Sequence, residues 1–590
     1  MTRGKPLLIG GDPKGKNILY CTGNSVVVRN VKEPLIADTY TDHPKAPTVA
    51  RYCPSGFYIA SGDEMGNVRI WDTTQAGTYG IKLDQRALSG RVYDIAWTED
   101  SKRVVAVGDG REKYGAAFFM DGGASVGEIT GHSKIITSVD IKQTRPFRLM
   151  TGSEDLSLGW FEGPPFKWKK SVDGHSRFVN CVRFSPDGER VVSVGQDKLA
   201  LIFDGKTGDK VGQLNAEHNG GIYCVSWAPT SKQVLTASAD RTCKVWDVET
   251  GAAVSTFEFG AAVEDQQLGC IWQGGDLLSI GLNGYLNYLD PNSGKLIKSI
   301  HGHMNFITSL AHDGSSDSFY SGSYDSSQIR WNIKDASTSI YLGAGHTNQI
   351  SALAVDGSSV YSAGMDDCFG VAPLGEGQTG ARIATDSPAR GIATNTHNKG
   401  LAVGISMKSV SLIRGSVAVA KVAVSWSPTS VALSADGQSA AVGGEDQKVH
   451  IFKIAGDTLT EATALAGHTR EVSAVAYSPD GKFLASACKN RSIILWDAKT
   501  HAQIVNGQWC FHTSTVNSLA FSPDSLFLAS ASLDQDIYIW NPAKVMQKLR
   551  IPLAHRGGVN QVLWLNNNEI ATGGQDCCIK TWSVDRAAFA

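Results

Sequence analysis

Histidine, serine and aspartate recur together in this sequence, and their chemistry is the first thing to settle. The sets are His132/Ser153/Asp155, His218/Ser238/Asp240, His303/Ser323/Asp325 and His512/Ser532/Asp534. Six residues after each aspartate stands an aromatic residue: Phe161, Trp246, Trp331 or Trp540. A single set would suit acyl transfer, with a hydroxyl nucleophile, an imidazole base and an orienting carboxylate. Four copies at one spacing point instead to a repeated structural network. In it the buried imidazole links the Asp-bearing turn to the Ser on the adjacent strand, and the indole N–H joins where Trp is present. No GxSxG elbow, HExxH pair, P-loop or paired-carboxylate motif competes with that reading. The expectation is a protein without catalytic residues.

The cysteines lead to a similar place. There are 11 of them, an odd number, with Cys577 and Cys578 adjacent. None lies in a CxxC…CxxC or CxxC…HxxxH spacing, which argues against zinc. Cys181, Cys224 and Cys243 sit inside apolar runs and read as small core residues. No metal or cofactor is expected.

The elements that position these residues follow from the repeat. Segments end in Trp-Asp or a relaxed form at Trp71-Asp72, Phe161-Glu162, Phe203-Asp204, Trp246-Asp247, Trp331-Asn332, Trp496-Asp497 and Trp540-Asn541. Weaker copies stand at Arg29, Met120, Leu289, Ile413, Phe452 and Trp582, with one more near Ala372 after Gly364 and Asp366. These fourteen landmarks recur with a mean spacing of about 42.5 residues, the length of a four-stranded propeller blade. An independent landmark keeps the same register. His43, His175, His218, His303, His468 and His512 each precede the aromatic position by 28 residues. Between the landmarks run strands and turns. After His218 come Ile222–Trp227, a turn at Ala228-Pro229-Thr230-Ser231, Gln233–Ser238, a turn at Ala239-Asp240-Arg241, then Thr242–Trp246 and Ala253–Phe257.

The predicted fold is therefore all-β: two tandem seven-bladed WD-repeat β-propellers, fourteen blades in all, one over residues 1–302 and the other over 303–590. The last repeat shows three strands followed only by Asp585–Ala590. Its outer strand would have to come from residues upstream of Met1 or from the chain ends. Bulk composition agrees with this reading. The 590 residues exceed what one core holds, and 63 glycines against 19 prolines suit many tight turns. Lys and Arg number 55 against 57 Asp and Glu, a balance that argues against nucleic acid as a partner. No run of about 18 apolar residues would cross a membrane, and the amino terminus lacks the apolar stretch of a signal peptide. A monomer in a reducing compartment is expected.

Without catalytic groups, function should lie in loops at the blade ends. With strands lettered a to d from the inside outward, the b–c and d–a loops share one face. Three positions after a landmark His stand Ile135, Phe178 and Phe306, where other repeats have Gln349, Glu471 and Thr515. Just before Phe178 lies Glu162-Gly163-Pro164-Pro165-Phe166-Lys167-Trp168-Lys169-Lys170, which puts aromatic and basic groups on an outer strand. Glu112 and Glu154 fall in b–c loops of the third and fourth blades. The candidate protein-binding patch is therefore Glu112, Glu154, Lys167, Trp168 and Phe178, across blades three to five, with aromatic anchors expected to be exposed.

Several of these segments resemble the actin-interacting protein 1 family. The resemblance is carried by Gly-Asp-Pro-Lys-Gly at residues 11–15, Ser61-Gly62-Asp63, Gly66-Asn67-Val68-Arg69-Ile70-Trp71-Asp72-Thr73-Thr74, and Val107-Gly108-Asp109-Gly110-Arg111-Glu112. Arg145-Pro146-Phe147-Arg148 and Glu162–Trp168 add to it, and the fourteen-repeat count extends it over the whole chain. The resemblance implies binding to actin filaments decorated by cofilin, acceleration of their disassembly, and a place among cytoplasmic actin-rich structures. Two other classes compete: a general WD scaffold in another multiprotein complex, and, more weakly, a propeller hydrolase.

Overall fold

Blade 6 shows how the sequence makes each sheet. Its strands are Ile222–Trp227, Gln233–Ser238, Thr242–Asp247 and Ala253–Glu258, paired antiparallel in chain order. Strand b is buried at five consecutive positions, because neighbouring blades cover both of its faces. The outer strand alternates between exposed residues and half-buried or buried ones, since only one face is covered. The b–c turn is set by Asp240, whose carboxylate accepts the Thr242 N–H at 3.0 Å while Arg241 takes φ +69°. The same side-chain turn recurs at Asp155, Asp325 and Asp534, with Leu156, Ser326 and Gln535 in the left-handed region.

The computed structural model describes residues 6–586 apart from 75–78, 112, 216, 313, 315–316, 335–336, 342, 376–379 and 396–398. Among the described residues there are fourteen sheets, thirteen of four strands and one of three. Each is built from strands consecutive in sequence, and they are numbered here as blades 1–14. The three-stranded sheet is blade 14, made of Val559–Asn566, Glu569–Gly574 and Ile579–Ser583. The chain divides into two compact units, 1–300 and 301–590, of seven blades each. The division falls two residues before the one read from the repeats, and His301 donates its N–H to Thr338 Oγ1 of blade 8 at 2.6 Å.

One hydrogen bond stitches neighbouring blades. The second residue of an inner strand donates its side chain to the carbonyl of the first residue of the next inner strand. In the second unit Thr308 reaches Ile350, Ser351 reaches Ala389, Thr429 reaches Val472, Ser473 reaches Val516 and Asn517 reaches Val559. Arg390 reaches Pro428 at a longer 3.4 Å, and Asn560 closes the ring on Ile307 at 2.8 Å. All seven seams of that unit carry the bond. The closing seam also buries Ile307, Leu310 and Phe319 with Leu565 and Ala571.

The first unit closes by packing Ile9, Ile18 and Val31 of blade 1 against Ile271, Leu278 and Ile280 of blade 7. Gln273 donates across that seam to the carbonyls of Asp12 and Asn17, at 2.7 and 3.0 Å. Farther round, a buried ion network joins the inner strands of blades 2 to 5. Asp94, fully buried, lies 2.9 Å from Arg183 and 3.4 Å from Arg51, and accepts the Ser138 hydroxyl at 2.8 Å. Burial alone would raise its pKa. The two guanidiniums, the Val139 N–H and Ser138 more than offset this and hold it below the usual carboxylate value. Removing the carboxylate strands two cations among buried neighbours. Asp94→Ala should therefore destabilise the first unit by about 3–5 kcal/mol, read as a fall in its melting temperature. An unchanged transition would show that the guanidiniums find other partners.

Candidate protein-binding face

The face that carries the candidate patch is organised by the landmark histidines. Nine blades place the imidazole below the d–a loop with Nε2 on a strand-b hydroxyl. The pairs are His43–Ser61, His132–Thr151, His175–Ser193, His218–Thr236, His303–Ser321, His346–Ser362, His468–Ser486, His512–Ser530 and His555–Thr572, all at 2.6–2.9 Å. Where the landmark aromatic of strand c is Trp, its indole N–H donates to that same hydroxyl. Trp246 reaches Thr236, Trp331 reaches Ser321 and Trp540 reaches Ser530, at 2.7–2.8 Å. Nδ1 faces the turn aspartate: Asp155 at 3.0 Å from His132, Asp240 at 2.8 Å from His218 and Asp534 at 2.9 Å from His512. His303 bonds Ser327 at 2.9 Å, with Asp325 farther away at 3.6 Å.

The hydroxyl is not the one the sequence suggested. Ser153, Ser238, Ser323 and Ser532 do not bond the imidazole. Each accepts the N–H of the turn aspartate at 3.1–3.2 Å and donates to a d–a loop carbonyl. They lie at the end of strand b, level with the turn, while the ring reaches two residues deeper to Thr151, Thr236, Ser321 and Ser530. A signal for this was present. A hydroxyl accompanies all nine histidines at this depth, 18 residues on in six of them, whereas the later Ser appears in only some repeats.

Blades 11 and 12 depart from the pattern in different ways. In blade 11 strand c supplies the histidine: His450 lies 3.1 Å from Asp446 and 2.6 Å from Glu461, and Trp426 of the d–a loop stacks on it at 3.7 Å. In blade 12 the turn residue is Asn490, so His468 Nδ1 is buried without a hydrogen-bond partner. Burial pushes the His468 pKa down from 6.5 to about 4. Asp155 behaves oppositely to its burial: bonds from Ser157 and the Ser133 N–H, with His132 beside it, bring it to about 2.

The two loops of this face are clamped together by backbone. The b–c loop donates an N–H to the d–a loop of its own blade: Glu154 to Ile135, Gln196 to Phe178, Tyr324 to Phe306, Lys489 to Glu471 and Leu533 to Thr515, at 2.9–3.0 Å. Glu154 and Phe178 are thereby placed at equivalent clamps of blades 4 and 5. Phe178 is 44% exposed, and Glu154 is half-buried. Lys167 is exposed at the start of the outer strand Lys167–Val172, paired with Glu162 at the c–d end of the blade, so it does not join Glu154 and Phe178 on this face. Glu112 lies outside the described residues. Trp168 differs from the expectation of a free anchor. It is half-buried, edge-on to Phe161 at 5.2 Å and to His132 at 5.5 Å. Its ring occupies space left open by glycine, since a Cβ on Gly131 would lie 2.4 Å from it. With Phe161 at the strand-c aromatic position, Trp168 covers the imidazole from the outer strand. Other large apolar groups are exposed on this face, among them Leu156 in blade 4 and the Phe306–Tyr324 pair in blade 8, with ring centroids 6.5 Å apart.

Two mutational outcomes follow from these contacts. Trp168→Ala should lower the melting temperature, losing about 3 kcal/mol of packing, whereas Phe178→Ala should leave it almost unmoved. Asn490→Asp should supply the carboxylate that His468 lacks and raise stability by about 1 kcal/mol. His468 binds a proton more readily unfolded than folded, so its favourable contribution is complete above about pH 6.5 and is lost as pH falls toward 4. The advantage of Asn490→Asp over the parent should therefore be greatest near pH 5, as melting curves across pH 4–8 would show. An advantage independent of pH would mean that His468 is not the group involved.

Comparison with known proteins agrees with this architecture. The family model for the WD domain, G-beta repeat, matches residues 166–204, 208–247, 294–327, 459–497, 506–541 and 546–583. The chain is 47% identical over 587 residues to the 66 kDa stress protein of Physarum polycephalum, covering 99% of this chain and 97% of the relative. It is 43% identical over 602 residues to WD repeat-containing protein 1-B of Xenopus laevis, covering 99% and 97%. With Actin-interacting protein 1 of Drosophila melanogaster it shares 41% identity over 589 residues, covering 99% and 96%. On fold, repeat pattern and end-to-end similarity, this chain belongs to the actin-interacting protein 1 (WD repeat-containing protein 1) family.

Proposed function

We propose that this protein is a non-enzymatic actin-binding protein that acts with cofilin to promote disassembly of actin filaments, severing decorated filaments or blocking their ends. The observation that carries the reading is the 41% identity, along 99% of the chain, to a protein named for its interaction with actin. The histidine, hydroxyl and carboxylate groups are occupied with one another in blade after blade, which supports a role in binding rather than catalysis. The binding face is assigned to blades 3 to 5, with Phe178 as its exposed anchor and Glu112 and Glu154 as its charged residues. Trp168 supports this face from beneath, through its packing on His132. Binding alone drives disassembly if the protein prefers one filament state, because differential affinity shifts that equilibrium without any covalent step. The site of action is the cytoplasmic actin cytoskeleton.

Co-sedimentation with actin filaments, with and without cofilin, tests the reading directly. The protein should pellet with decorated filaments, and Phe178→Ala should weaken cofilin-dependent disassembly roughly ten-fold at unchanged stability. Glu112→Ala should cost less, since charges at a rim mostly tune rate and specificity. Failure to pellet under either condition would favour a scaffold role in another complex. Full activity of Phe178→Ala would move the binding face away from blades 3 to 5.

A further inference from the structure

Blade 9 repeats the imidazole–carboxylate arrangement with one atom changed. In blades 4 and 6 a hydroxyl two residues after the aspartate sits beside both partners: Ser157 Oγ is 2.7 Å from Asp155 and 3.2 Å from His132, and Thr242 Oγ1 is 2.7 Å from Asp240 and 3.3 Å from His218. In blade 9 the residue is Cys368. Its Sγ lies 3.2 Å from Asp366 Oδ1 and 3.5 Å from His346 Nδ1, and those two atoms are 2.8 Å apart. Nitrogen, oxygen and sulfur thus form a closed triangle. Among the described residues this is where three groups of metal-ligating type bring their ligand atoms within 4.8 Å of one another.

The surroundings leave the right atom of each group for a ligand role. His346 Nε2 is engaged by Ser362 at 2.7 Å, which leaves Nδ1. Asp366 Oδ2 is held by Arg382 at 2.7 Å and by the Thr347 N–H at 3.0 Å, which leaves Oδ1. Such outer partners fix the orientation of metal ligands. At the end of strand b, where blades 4, 6, 8 and 13 carry serine, blade 9 has Gly364. An ideal Cβ there would stand 2.3 Å from both Asp366 Oδ1 and His346 Nδ1, so this placement of the two donors requires glycine at 364.

We propose that His346, Asp366 and Cys368 form a three-ligand site for a divalent cation of the zinc type. Zinc lies about 2.0 Å from nitrogen and oxygen and about 2.3 Å from thiolate, so a tetrahedral ion needs ligand separations of roughly 3.3–3.6 Å. The triangle reaches that by opening a few tenths of an ångström along its two shorter edges. Metal–nitrogen, metal–oxygen and metal–sulfur bonds form; the S–H bond breaks and its proton leaves to solvent, while the imidazole proton moves from Nδ1 to Nε2, where it is donated to Ser362 Oγ. A water molecule or a partner's side chain takes the fourth position. One thiolate, one imidazole and one carboxylate suit zinc or cobalt and not magnesium or calcium, which take all-oxygen sets. Blade 14 supplies an internal control: His555, Asp576 and Cys578 have the same types and order, yet Cys578 Sγ turns to the Asp576 carbonyl at 3.4 Å.

The test is a titration of the full chain, stripped with chelator, with Co2+ followed by absorption. One equivalent should give a thiolate-to-cobalt charge-transfer band, displaced by Zn2+, and Zn2+ should raise the melting temperature. Cys368→Ser installs the residue that blade 4 carries at this position, so the fold should persist while metal affinity falls at least ten-fold. Cys578→Ser should bind like the parent. Absence of the band in the parent, its survival in Cys368→Ser, or its loss in Cys578→Ser would overturn the assignment.

Discussion

In nine of the fourteen blades the loop face depends on a buried imidazole that has one hydroxyl beneath it and, in most of them, one carboxylate beside it. The ring joins strand b to the b–c turn, and the turn's aspartate accepts the N–H of the residue after the histidine, as Ser133, Asn219 and Thr513 show. Three segments distant in sequence are thereby fixed relative to one another inside a single sheet. Satisfied networks of this kind cost little in burial and specify geometry strongly. Loops that follow such a network are held at both ends, and Phe178 sits three residues beyond His175.

Much of this was legible from residue order alone, because a propeller writes one sheet after another. Strand lengths, the Asp-centred turns and the count of fourteen followed from period and turn chemistry. What stayed hidden depended on depth. Ser153 and Thr151 lie on the same face of one strand, and sequence does not say which of them an imidazole 19 or 21 residues earlier will reach. The packing of Trp168 is hidden for a related reason: an outer strand alternates, and its inward positions pack like core when the strand-c aromatic is the smaller Phe161. Charge and hydrophobicity along Glu162–Lys170 do not reveal that a glycine at 131 has left room for the indole.

The exceptions among blades separate what the fold requires from what it tolerates. Blade 11 keeps the aspartate but draws its histidine from strand c, with Trp426 covering the ring from the loop. Blade 12 keeps the histidine and loses the carboxylate. Blade 7 has neither, and there Gln267 accepts the Ser279 hydroxyl at 2.8 Å in place of an imidazole. A sheet can therefore form with any one member replaced, provided that the strand-b hydroxyl or its surroundings remain satisfied. That tolerance frees individual blades to carry other chemistry at the same position.

The side-chain-to-carbonyl bonds of the second unit have a topological meaning. The bond from Asn560 to Ile307 is of the same kind as that from Asn517 to Val559, although one joins neighbours in sequence and the other spans 253 residues. By this bond, the ring does not distinguish the seam between its first and last blades from any other. The order in which blades are connected is then a property of the gene and not of the assembled ring, so circular permutants opened at a different blade junction should recover the same seven seams.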